Sequence, residues 1–176
     1  MNIKIRPEEP GDYNLVEEIT KEAFTRDDYD CNEHIIVNKL RNASECIKEL
    51  SYVLELDNQV IGHIIYSKCI IQGNENFDVI TFGPVSIKKA YQRKGFGSKL
   101  ISFTINKARE LGYNGIVIYG HPEYYPRFGF ENAEKYSIST KEGKNGDYFM
   151  ALELYPGGLN AVEGRLYQSD IFDTNE

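Results

Sequence analysis

Residues 77–120 read "FDVITFGPVSIKKAYQRKGFGSKLISFTINKARELGYNGIVIYG". A strand-like run ends at Ile87 and a cationic glycine turn follows it. Leu100, Ile101, Ile105, Ala108 and Leu111 then mark one face of a helix, and Gly112 is placed to cap its end. "GIVIYG" is short and continuously apolar, the texture of a strand covered on both faces. Strand, turn, helix and strand within about forty residues predict a parallel βαβ crossover, a unit that is right-handed almost without exception. The strand before the turn contains Gly83-Pro84. Proline has no N–H and glycine packs nothing, so a bulge or splay is expected there.

Upstream, "IKIRP" reads as a first strand, and Gly11-Asp12 opens a helix in which Leu15, Val16, Ile19 and Ala23 fall at helical spacing, with Pro10 and Asp12 as start signals. Ile35, Ile36, Lys39 and Leu40 give a weaker second helical pattern. From Ser51 the texture changes to "SYVLELDNQVIGHIIYSKCII", two strand-like runs joined at Asp57-Asn58, a hairpin signal. Downstream, "HPEYYPRFGF" is a short helical or turn element, "DYFMALELY" holds one more alternating strand, and "EGRLYQSDIF" reads as extended along the surface or a sheet edge. The pattern is α/β with a mixed sheet.

No repeat or low-complexity linker interrupts the 176 residues, a length that suits one domain. Such a chain buries about two-thirds of its unfolded surface and needs no disulfide or metal to hold a core. The three cysteines show no ligand spacing, which predicts reduced thiols, no metal and a cytoplasmic protein. No apolar run approaches the ~20 residues of a membrane span, and the first residues lack a signal-peptide core, so no membrane association is expected. A net charge of −7 argues against a general nucleic-acid partner. Yet Lys88, Lys89, Arg93, Lys94 and Lys99 lie within twelve residues free of acid, and without them the other 164 residues carry −12. A cationic island on an acidic chain points to one local anionic ligand.

A glycine-rich turn leading into a helix offers unpaired backbone N–H groups and the positive end of the helix dipole, an anion site. Glycine at 95 and 97 is expected to admit close approach and positive φ. Spacing removes two familiar phosphate loops. A Walker A loop ends in GK[ST], where Gly97-Ser98-Lys99 has another order, and a dinucleotide fingerprint needs a third glycine where Leu100 stands. What remains is Q-x-x-G-x-G, as Gln92-x-x-Gly95-x-Gly97, after a strand with a Gly-Pro step.

With Tyr125-Pro126-Arg127-Phe128-Gly129-Phe130 matching a Y-x-x-x-G-F pattern directly after "GIVIYG", the chain resembles the GNAT superfamily of acetyl-CoA-dependent N-acetyltransferases. The resemblance runs from about Phe77 to Phe130 and more loosely beyond. "GHPEYYPRFGF" followed by "FMALELYPGGL" is similar to a branch of uncharacterised bacterial members. It implies a mostly antiparallel sheet of six to seven strands with the parallel βαβ unit at its centre and helices on both faces. It implies one transferase domain over residues 1–155, with 156–176 an extension packed on it or at a subunit interface, in a monomer or homodimer.

Carried over residue by residue, the resemblance assigns Arg93, Lys94, Gly95, Phe96, Gly97 and Ser98 to the pyrophosphate of acetyl-CoA, with Gln92 shaping the turn. It pairs the pantetheine arm with Val85, Ser86 and Ile87, where a backbone N–H near Val85 would meet the oxyanion. It gives the role of general acid to Tyr125, with Tyr124 as the adjacent rival. The implied reaction is direct attack of a small-molecule or peptide amine on the acetyl thioester. "VITFGPVSI" lacks the glutamate that members commonly carry as base. Asp78, Glu55, Glu123 and His121 are the candidates left, beside a water chain with no single base. A catalytically silent acyl-CoA sensor and an unrelated nucleotide-phosphate binder are the alternative classes.

Overall fold

A computed structural model describes residues 1–173. The elements are β1 (Ile3–Pro7), α1 (Tyr13–Phe24), α2 (Glu33–Arg41), β2 (Tyr52–Leu56), β3 (Gln59–Gln72), β4 (Asn76–Ile87), α3 (Phe96–Glu110), β5 (Gly115–Tyr119), β6 (Glu131–Asn132), β7 (Ile138–Ser139), β8 (Phe149–Glu153) and β9 (Gly164–Tyr167). Seven of the nine strands have four or more residues, and the other two are single-step pieces. The chain divides into two compact units, one of Met1–Tyr66, Gly83–Lys107 and the stretch from Ile171, the other of Ser67–Phe82 and Ala108–Asp170. Among the described residues no helix is long and apolar enough to cross a membrane.

In the first unit β1, β2 and β3 pair antiparallel in chain order. Asp57 and Asn58 take φ of 49° and 67°, the left-handed pair that closes a two-residue hairpin and that these side chains tolerate. Period-two alternation along β3 decides where the helices go. Ile65 packs with Val16 and Ile19 of α1 and Val37 and Leu40 of α2. Its neighbour Tyr66 faces the other way, with its hydroxyl 2.9 Å from Thr104 Oγ1 of α3. Helices therefore cover both faces of this strand. The apolar stripes are rotated from the expected ones: Leu15 and Ile35 are 36% and 41% exposed, while Thr20 and Val37 are buried in their place.

The second unit holds the predicted parallel pair, β4 with β5, in register at Ile80↔Ile116. β5 continues antiparallel to β8, from Gly115↔Glu153 to Tyr119↔Phe149, and β8 to β6. The stretch expected as extended forms β9, which pairs antiparallel with Ile70–Gln72 of β3 and parallel with β7. Ile71, Val79, Val117, Phe149, Leu159 and Leu166 make the core here. Residues 174–176 of the expected C-terminal extension lie outside the described residues.

A buried ion network ties the first unit together. The Glu8 carboxylate accepts from Arg41 (2.7 Å) and from Ser51 Oγ (2.7 Å), and His63 Nε2 lies 3.4 Å away. The side chains of Glu8, Arg41 and His63 are 3%, 9% and 0% exposed. Arg41 also reaches Glu17 and lies 3.9 Å over the Tyr13 ring. Burial by itself would raise the Glu8 pKa, but His63, Arg41 and Ser51 outweigh it and hold the group at about 2. A carboxyl depressed on folding stabilises the fold fully above its unfolded pKa of 4.5 and loses that contribution as pH falls toward 2. Urea melts should show wild-type stability dropping by about 3 kcal/mol over this interval on account of Glu8. Glu8→Gln should be less stable at pH 7 and flatter between pH 4.5 and 2; equal acid slopes would refute the assignment.

Candidate active site

In the first unit the site begins at the end of β4. The strand continues through Gly83-Pro84 to Ile87, so the expected disruption is local: Gly83 has φ 139°, the Gly83–Pro84 peptide is cis, and Pro84 offers no N–H. Val85 is half-buried. Ser86 Oγ lies 3.2 Å from Thr20 Oγ1 of α1, whose hydroxyl donates to the Val16 carbonyl. Gly62 of β3 is the complement: a Cβ there would stand 2.5 Å from Ile87 Cδ1 and 3.2 Å from the Ser86 carbonyl oxygen.

The glycine turn is closed from within. Gln92 Nε2 donates to the Ile87 carbonyl across five residues (2.8 Å). Arg93 and Gly95 take φ of 60° and 86°. Gly97 lies outside the left-handed region, because α3 already begins at Phe96 and position 97 sits in its first turn. Phe96 is buried edge-on to Tyr91, which anchors the helix start. Lys99 N–H bonds the Gly95 carbonyl (3.1 Å) at the start of α3. Arg93, Lys94 and Lys99 are exposed around this end, and Lys89 reaches the Thr25 carbonyl (2.9 Å).

In the second unit β5 ends at Tyr119, and Gly120 and His121 lead into the turn that follows. Gly120 N–H donates to the Tyr148 carbonyl, and the His121 carbonyl accepts from the amides of Tyr124 (3.0 Å) and Tyr125 (3.2 Å). The Tyr125 ring occupies the space that a side chain at 120 would fill: a Cβ on Gly120 would lie 2.4 Å from Cδ2 and Cε2. Phe82, Phe128 and Phe130 surround the ring at 6.1, 6.1 and 5.8 Å. The Y-x-x-x-G-F spacing thus has a local cause. Gly129, at φ 97°, ends the 3₁₀ turn Tyr125–Phe128 and returns Phe130 to the core against Tyr125. Burial, with a smaller contribution from Tyr124, pushes the Tyr125 phenol up to about 12. The Tyr124 ring stands edge-on to that of Tyr125, with centroids 5.0 Å apart at 86°, and is covered by the Arg127 guanidinium at 4.1 Å.

Of the candidate bases, Glu55 is held by Arg6 (2.8 Å). Asp78 lines a cleft of about 320 Å³ with Lys68, Val79, Ile80, Gly112, Tyr113 and Asn114. That cleft adjoins the start of β5, ~15 Å along the strand from the Tyr125 end. His121 and Glu123 are exposed beside the turn. Among the described residues no group of three or more His, Cys, Asp or Glu is placed to hold a metal.

The family model of the acetyltransferase (GNAT) domain matches residues 48–132. A GNAT family acetyltransferase from Brucella melitensis, solved in complex with acetyl-CoA, is 32% identical and superposes with a TM-score of 0.78 over 98% of this chain and 99% of that one. The chain belongs to the GNAT family. Its fold is likewise close to the GNAT family N-acetyltransferase YhbS of Escherichia coli in complex with CoA, with a TM-score of 0.87 at 26% identity over 99% of this chain and 93% of that one. In sequence, the "uncharacterized N-acetyltransferase" YhbS of strain K12 is 27% identical over 117 residues, 66% of this chain and 70% of that protein. The protein is thus an N-acetyltransferase built on the mixed GNAT sheet with its parallel pair.

Gly120 and Phe82 escaped the sequence reading, although a glycine closing a continuously apolar strand is the signal that a ring packs there. Gly120→Ala should cost about 1–3 kcal/mol, the usual penalty of overpacking. Gly11→Ala, where nothing lies within 4 Å of the added carbon, should cost little. Urea melts of the pair measure the difference, and equal stabilities would contradict the packing of Tyr125 on Gly120.

Proposed function

We propose that the protein moves an acetyl group from acetyl-CoA to the primary amine of a small molecule or peptide, by direct attack within a ternary complex. The carrying observation is the closed turn of Gln92 to Ser98, with left-handed residues at 93 and 95 opening α3, in a chain whose relatives are solved with CoA and acetyl-CoA. Arg93, Lys94, Gly95, Phe96, Gly97 and Ser98 bind the pyrophosphate through first-turn amides and local positive charge. Val85, Ser86 and Ile87 offer backbone groups to the pantetheine amides, and a backbone N–H near Val85 stabilises the oxyanion.

Tyr125 is the acid of this reading. A thiol has a pKa of ~8.5, so complete proton transfer from a phenol at about 12 is uphill by ~5 kcal/mol. Tyr125 therefore serves as a hydrogen-bond donor to the sulfur as charge develops on it, and it keeps its proton at every physiological pH. An amine of pKa ~10.4 is neutral about once in 10³ molecules at pH 7, a deficit of ~4–5 kcal/mol that a proton acceptor must relieve. A silent acyl-CoA sensor is favoured by one feature, the lack of any carboxylate in "VITFGPVSI".

Release of free thiol from acetyl-CoA in the presence of phenethylamine, spermidine, Nα-acetyl-lysine or an alanyl peptide tests the proposal. Wild type should release thiol with at least one of them, and Tyr125→Phe should lower kcat about 10²-fold with CoA affinity unchanged. Because the phenol titrates near 12, the rate profile below pH 11 should keep its shape in Tyr125→Phe. Tight CoA binding with no thiol released from any of the four would favour the sensor.

A further inference from the structure

Resting on the transferase reading above, we propose that His121 is the general base that takes the proton from the acceptor ammonium. The chain has three histidines. His63 is fully buried against Glu8, and His34 is half-buried with Nδ1 3.8 Å from Cys31 Sγ. His121 is the exposed one. Its place is also distinctive. It directly follows Gly120, whose missing side chain is replaced by the Tyr125 ring, and its carbonyl accepts the amides of both Tyr124 and Tyr125. The backbone of His121 is thereby fixed to the same turn that holds Tyr125, while its imidazole remains open to solvent, with the Tyr148 ring 6.0 Å away at 72°.

The ionisable groups adjoining His121 are Tyr148 from the segment before β8 and Glu123, Tyr124 and Tyr125 from its own turn. Among these, Glu123 is the rival base. An imidazole ordinarily titrates about 4 units below an alkylammonium and a carboxylate about 6 units below, so the carboxylate is a poorer acceptor by about 10²-fold. An exposed imidazole also returns its proton to water after each turnover, which a buried group does slowly.

The ammonium nitrogen starts with three hydrogens and ends, in the amide, with one. His121 takes the first through a ring nitrogen, and the freed lone pair forms the N–C bond as the carbonyl π pair moves to oxygen. When that pair returns, the C–S bond breaks and its electrons leave on sulfur. The second nitrogen-bound proton neutralises the thiolate, with Tyr125 hydrogen-bonded to the sulfur, and His121 releases the first to solvent. Acetyl-CoA and the ammonium thus give the amide, CoA thiol and one proton.

The test compares wild type, His121→Gln and Glu123→Gln, using acetyl-CoA with the fastest of the four amines above, from pH 7 to 10. His121→Gln should lose about 10²–10³-fold in kcat/KM for the amine at pH 7 and recover toward wild type by pH 10, where the amine is increasingly neutral without help. Its CoA affinity and melting temperature should match wild type, and Glu123→Gln should stay within threefold of it. A His121→Gln rate within threefold of wild type at pH 7, a deficit that is constant across the pH range, or a loss carried by Glu123→Gln would each overturn the assignment and leave the transferase reading intact. A wild type that acetylates none of the four amines would overturn both.

Discussion

The placement of the cationic turn depends on a glycine. Gly62 has no side chain, and the space where one would stand is taken by Ile87 and the Ser86 carbonyl. Three bonds gather at this end of β4. Lys88 N–H bonds the Ile61 carbonyl, the Ile87 carbonyl takes the Gln92 amide that closes the turn, and Ser86 Oγ meets Thr20 of α1. A Cβ at 62 would require the Ile87 Cδ1 methyl to move aside and the Ser86 carbonyl to give by a few tenths of an ångström. The glycines of the turn itself draw attention first in the sequence, but they only shape a loop whose position is decided one strand away.

The second unit solves a different problem, which is how to hold a phenol still without a polar anchor. Four aromatic neighbours and a glycine floor surround the Tyr125 ring; the pairs with Tyr124 and Phe130 are edge-to-face, a geometry that adds ~0.5–1.5 kcal/mol each beyond area burial, and those with Phe82 and Phe128 are tilted. The cost appears in the acid–base chemistry. The same apolar shell disfavours the phenolate and lifts the phenol to about 12, which weakens Tyr125 as a proton source while guaranteeing that it is always protonated. A donor that never titrates suits a reaction in which charge appears on sulfur only briefly.

Local patterns carried most of what the sequence disclosed. The βαβ unit, the Asp57-Asn58 hairpin, the Gly112 cap and the Tyr125-to-Phe130 turn all rest on residues within a few positions of one another, and each is present. The conformation of Gly97 was open in the sequence, because it depends on where α3 begins, a boundary that periodicity locates only to a residue or two. Leu15 and Ile35 misled because a helix with spare apolar residues can turn its stripe by one position when a neighbouring helix asks for it. The Glu8, Arg41, Ser51 and His63 network was invisible in the sequence. Its members lie 33, 43 and 55 positions from Glu8, and nothing short of the fold brings them together.

Acid and base work at pH 7 requires groups whose environments push their proton affinities apart. The turn after β5 supplies such a contrast within five residues. Tyr125 is enclosed by rings and keeps its proton, while His121 is exposed, and the His121 carbonyl accepts the Tyr125 amide. Under the role proposed for His121, the strand before the cationic turn needs no carboxylate of its own. If the proton of the amine leaves through the end of β5, β4 is released from acid–base duty, and "VITFGPVSI" can be apolar along most of its length and offer backbone groups alone.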